Sequence, residues 1–110
     1  MSIEIVTTSD FDRDVTQLRR RFRRINQDIK AMIDEIVDSG YRGARMSGYG
    51  KALYKVCLTN RFARRGKSGG FRAIYHPLDD HNCLFFHIYS KSDKGDVGAS
   101  EMRKLLRDLN

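Results

Sequence analysis

Partway along this 110-residue chain the apolar residues change their period, and that change decides the class of fold open to it. From Phe11 they recur at Val15, Leu18, Phe22, Ile25, Ile29, Met32, Ile33, Ile36 and Val37, at steps of three and four, which is one stripe along a helical surface. From Ala52 to Ser90 the spacing falls to two, the period of half-buried strands. Helical and strand segments kept apart along a chain of this length imply one α+β domain over residues 1–110.

The punctuation refines this order. Ile3, Ile5 and Thr7 alternate with Ser2, Glu4 and Val6 as a short strand, and Thr8, Ser9 and Asp10 offer helix N-caps. The stripe runs for about 28 residues, longer than most helices, and Asn26 is a plausible internal cap. The spacing therefore predicts two consecutive helices with a break near 23–26, a single long coiled-coil helix being the alternative. Ser39-Gly40 supplies the stop, and the glycine-rich stretch 40–51 is read as a loop. Strands are predicted at 52–59, 70–76 and 82–90, with a basic hairpin loop at 60–69 and a turn at Pro77, Asp79 and Asp80; a short helix follows at 100–109. The expected architecture is an antiparallel sheet of about four strands, with two N-terminal helices packed on one face and a short C-terminal helix. Strand parity leaves the other face open and puts Lys55, Cys57, Arg72, His87, Tyr89 and Lys91 on it.

Charge points the same way. Residues 1–38 and 79–110 each sum to −1, whereas 39–78 hold nine Lys and Arg and no acid, so the whole net charge of +7 sits in one window. A merely solvated surface mixes signs, and an unmixed basic stretch suits a phosphate backbone or another polyanion. It excludes a nucleic-acid mimic. RRRFRR at 19–24 has two readings, a grip on ribosomal RNA or the solvated face of the first helix. RRGKSGG at 64–70 lacks the P-loop spacing and precedes a strand, so a flexible hairpin touching backbone phosphate through Arg64, Arg65 and Lys67 is the better account. No RNP-type aromatic code is present. Cys57 and Cys83 stand without ligand-spaced partners and are expected to be buried free thiols, neither disulfide nor zinc ligands. His76 and His81 flank a turn and are expected at the surface. The N-terminus carries no secretory pattern and no apolar run approaches a membrane span, so a cytoplasmic protein is expected.

The stretch LYKVCLTNRFARRGKSGGFRAIYHPLDDHNCLFFHIYSKSD resembles the RelE/ParE superfamily of toxins from type II toxin-antitoxin pairs, particularly its RelE and HigB-like branch. GKSGGFRAIY and IYSKSD carry the likeness, which extends more loosely from Phe11 to Leu106. The resemblance implies a ribosome-dependent mRNA endonuclease with an antitoxin partner, which touches operator DNA only through the toxin-antitoxin complex. It implies active-site roles for Lys55, Arg72 and Lys91. Cys57 stands where relatives often have a second basic residue, Ser92 where an Arg commonly follows, and Gly98-Ala99 where some supply a Tyr, leaving Tyr89 or Tyr75 as the phenol near the site. The superfamily also contains inhibitors of DNA gyrase, and a non-catalytic ribosome-binding module is a third possibility.

The chemistry can be reasoned independently. Cleaving RNA through its 2′-hydroxyl needs a base, stabilisation of a dianionic phosphorane and an acid for the 5′-oxygen, with no metal or other cofactor required. Arg72 can bind phosphate bidentately, Lys55, Lys67 and Lys91 add point charges, and crowded cations should lower the pKa of a nearby Lys or Tyr. His87 is a proton carrier by its ordinary pKa, or a structural histidine on an aromatic strand.

Overall fold

The computed structural model describes residues 3–40, 43–58, 70–93 and 95–109. The elements run β1 (Glu4–Thr7), α1 (Ser9–Arg19), α2 (Ile25–Ser39), β2 (Ala44–Arg45), β3 (Tyr54–Leu58), β4 (Phe71–Pro77), β5 (Asn82–Ser90) and α3 (Ala99–Asp108). The class is α+β, as the change of period predicts.

Thr8 caps α1, its Oγ1 accepting the Phe11 N–H at 3.1 Å. The break between the helices falls at 20–24, where Phe22 turns inward and meets Phe71 edge-on at 5.0 Å between centroids. Arg24, not Asn26, occupies the N-cap position of α2, and Asn26 lies inside its first turn. Gly40 closes α2 in the left-handed region.

The sheet has five strands in the order β1-β5-β4-β3-β2, against the expected four or so. The fifth is β2, inside the stretch read as a loop, where Ala44 and Arg45 pair with Lys55 and Tyr54. Two residues are too few to show a period, and this short strand blunts one sheet edge. Gly43 leads into it at φ +80°, so close to β3 that an added Cβ would lie 2.4 Å from the Lys55 carbonyl oxygen. At the other edge β1 pairs parallel to β5, so the sheet is mixed rather than wholly antiparallel. Alternation identifies a strand but not its neighbour, which is chosen by how α1 and α2 return the chain across the sheet.

Helices pack on both sheet faces, α3 covering part of the second, which corrects the expectation that this face is wholly open. Phe11, Leu18, Ile25, Met32 and Ile36 of α1 and α2 pack on Val56, Leu58, Phe71, Ala73, Tyr75, Phe85 and Ile88. On the opposite face Leu53, Ile74 and Phe86 form a second core with Val97 and Met102, flanked by Leu105, Leu106 and Leu109. The physical reason is that Leu53, Ile74 and Phe86 are themselves apolar, and α3 removes them from water. A register shift between Ile74 and Tyr75 leaves Phe86 as the extra residue of β5, since Tyr75 pairs with Phe85 and Ile74 with His87. None of the described helices is long and apolar enough to cross a membrane.

Candidate functional site

Because α3 covers only part of its face, a strip of sheet at the Leu58, Phe71 and Ser90 ends keeps polar side chains. There Cys57 pairs with Arg72 and Arg72 with Tyr89, one rung across three strands, so their side chains share a face. Two residues back along β3, Lys55 pairs with Ile74 and Ile74 with His87 on the same face. The alternation thus brings together Lys55, Arg72 and Tyr89 as parity predicts.

A residue not foreseen completes the group. Asp96, in the turn before α3, accepts three hydrogen bonds at Oδ1: from the Val97 N–H at 2.8 Å, from Lys55 Nζ at 3.2 Å and, weakly, from the Tyr89 hydroxyl at 3.5 Å. The Val97 N–H, followed by Lys55, holds its carboxyl below the usual carboxylate range. An Asp just before a helix is a recognisable cap or turn signal, but its meeting with a lysine 41 residues earlier is not legible in sequence.

Tyr89 answers the question of phenol acidity in the opposite sense to that expected. Its side chain is buried, and burial together with the Asp96 charge pushes its pKa up to about 12, against the opposing pull of Arg72. Crowded cations do lower a phenol, but here desolvation and one close carboxylate outweigh them. At neutral pH Tyr89 is a proton donor.

Arg72 is half-buried and one guanidinium nitrogen donates to the Phe71 carbonyl at 3.0 Å. No carboxylate among the described residues lies within ion-pair distance of it, so its remaining N–H groups are open to an anion. Cys57, expected to be buried, is exposed beside it, because it alternates onto the uncovered strip; Cys83 is buried as expected.

His87 lies in a different environment. It is 8% exposed, with Nδ1 3.2 Å from Asp14 Oδ2 of α1 and Nε2 3.5 Å from Glu101 Oε2 of α3. Its ring centroid is 5.5 Å from that of Tyr89. β1 stops opposite Phe85, and α1 borders the rest of β5 across a cleft of about 330 Å³ that includes Asp14, Arg21, His87, Tyr89 and Asp93. His87 therefore joins α1 to the sheet behind Tyr89 through Nδ1, while its Nε2 faces Glu101 of α3 without a hydrogen bond.

Lys91 is exposed one residue past β5, its N–H extending the ladder to the Gly70 carbonyl at 3.0 Å. Arg64, Arg65 and Lys67 lie outside the described residues. Within RRRFRR, Arg21 pairs with Asp93 and stands 5.0 Å over the Phe22 ring, so it fastens the turn after β5 to the end of α1, while Arg19, Arg20, Arg23 and Arg24 are exposed. His76 is half-buried rather than at the surface, its Nδ1 2.6 Å from the Ala52 carbonyl, and His81 is half-buried too. Among the described residues no three His, Cys, Asp or Glu side chains gather as a metal site.

The arrangement can grip an oxyanion at Arg72, add charge from Lys55 and present a protonated phenol, all at a half-open sheet end. No protein-family model matches the chain, and no curated protein matches it.

Proposed function

We propose that this protein is the toxin of a toxin-antitoxin pair and cuts mRNA on the ribosome. The observation that carries the proposal is the rung in which Arg72, with no described acid partner, sits beside a phenol kept protonated to about pH 12. The likeness of GKSGGFRAIY and IYSKSD to the RelE and HigB-like branch supports it, as does the acid-free window at 39–78.

In the proposed reaction the 2′-hydroxyl gives its proton to solvent as its oxygen attacks the adjacent phosphorus, the P–O5′ bond breaks, and a 2′,3′-cyclic phosphate and a 5′-hydroxyl result; solvent then returns a proton to Tyr89. Arg72 holds two phosphate oxygens, and Lys55 turns from Asp96 to the phosphorane as negative charge grows. Tyr89 gives its proton to the departing 5′-oxygen; its raised pKa keeps that proton available, and the Arg72 charge lowers the cost of releasing it. An antitoxin with an acidic segment would compete for the same cations.

The Lys55–Asp96 pair favours one other account, a module that binds RNA without cutting it, because it leaves Lys55 neutralised. Primer extension on a reporter message in a bacterial cell-free translation reaction, with and without ribosomes, separates the two. Cuts in step with codons that need ribosomes and vanish with Arg72→Ala support the nuclease. An intact message with inhibited translation supports the module, and unaffected translation overturns both.

A further inference from the structure

A second cationic surface is lined by none of that rung's residues. Between the turn at 48–51 and α3 runs a groove of about 660 Å³ lined by Tyr49, Lys51, Ser100, Arg103, Leu106 and Arg107. Ser100, Arg103 and Arg107 follow one another at helical steps of three and four, so they share one side of α3. Lys51 is contributed by the other wall. No described carboxylate is within ion-pair distance of Lys51, Arg103 or Arg107. Three cations without such partners, facing one groove, favour an anionic occupant.

The floor narrows the choice. Tyr49 and Leu106 pack against the second core, which holds the tyrosine ring and an apolar surface between the charges. A volume of this size matches one drug-sized or nucleotide-sized group. A flat ring flanked by cations suits a base stacked on an aromatic with phosphates on either side, the pattern of sequence-tolerant single-strand binding. An acidic helical peptide would need a row of apolar pockets, and the groove offers only Tyr49 and Leu106 among its lining side chains.

We infer that this groove binds single-stranded RNA, one base against Tyr49 and neighbouring phosphates on Lys51, Arg103 and Arg107. It would serve as a holding site for the strand apart from the cutting rung. The inference rests on the proposed function only in naming RNA as the polymer. Arg103 and Arg107 bracket one helical turn, about 6 Å along the axis, so each can take a separate phosphate.

The test is fluorescence anisotropy of labelled octauridylate with the full chain at about 50 to about 200 mM salt. Replacing both Arg103 and Arg107 by Gln should weaken binding at least tenfold at low salt and flatten the log–log salt slope by about 1.4, or 0.7 per lost phosphate contact on a single strand. Both side chains are exposed, so the variant should melt with the wild type. Tyr49→Leu, which keeps an apolar group on the core, should weaken binding about fivefold to a hundredfold by loss of stacking. Binding by the double variant within twofold of wild type at every salt overturns the inference, as does an octamer that fails to bind the wild type. Uridine monophosphate competing as well as the octamer overturns the polymer as ligand. If the wild type makes ribosome-dependent cuts but the double variant binds normally, the groove fails and the nuclease stands. If the double variant loses binding and the wild type cuts nothing, the groove stands and the nuclease falls.

Discussion

Lys55 of β3 and Asp96 of the turn before α3 meet at 3.2 Å, and the same carboxylate oxygen receives the Tyr89 hydroxyl at 3.5 Å. A single exposed acid thus neutralises one cation of the proposed site and helps keep its phenol protonated. Asp96→Asn should lower the Tyr89 pKa from about 12, leaving it above the ordinary 10 because burial is the larger cause. Ultraviolet titration of the variant with and without Tyr89→Phe isolates that phenol. A Tyr89 unchanged by Asp96→Asn would show that the carboxylate does not reach it.

The same phenol sets an alkaline limit on stability. Its folded pKa is raised, so its contribution is intact below about pH 10, where the unfolded chain still holds the proton, and is lost as pH rises towards about 12. Denaturant midpoints should fall across that window in the wild type and fall less in Tyr89→Phe.

Arg72 has a planar fork that a lysine cannot reproduce. Arg72→Lys should lose about a hundredfold or more in cleavage rate, close to the loss in Arg72→Ala, because one charge remains but the paired donors do not. Single-turnover cutting of ribosome-bound message measures it. Full activity in Arg72→Lys would reduce Arg72 to a point charge.

Met102 is fully buried in the core beneath α3. Met102→Ala should cost roughly 2–4 kcal/mol, read from urea unfolding. A change below about 0.5 kcal/mol, typical of surface sites, would mean α3 does not seal that face.

Gly43 and Gly95 make a paired test of close approach. Gly43→Ala combines a left-handed φ with a Cβ 2.4 Å from the Lys55 carbonyl, whereas Gly95→Ala meets nothing within 4 Å. The first should cost about 2 kcal/mol or more and the second close to nothing. Equal melting temperatures would remove the constraint on β2.

Legible in the sequence were the α+β class, two consecutive helices with a break between them, though expected near 23–26 and found at 20–24, the three long strands and the shared face of Lys55, Arg72 and Tyr89. Those follow from period and parity, which are local: each side chain's direction is set by its own backbone and by the residue two or three places away. Tertiary packing was needed to lay β1 parallel to β5, to pair Ala44 and Arg45 as an edge strand, and to cover with α3 part of the face expected to be open. It alone brought Asp96 to Lys55 and Tyr89, drew His87 between Asp14 and Glu101, and left Cys57 exposed. These depend on which distant surfaces exclude water together, so a phenol surrounded by cations in sequence order became, in three dimensions, a buried neighbour of one carboxylate with its proton held more tightly.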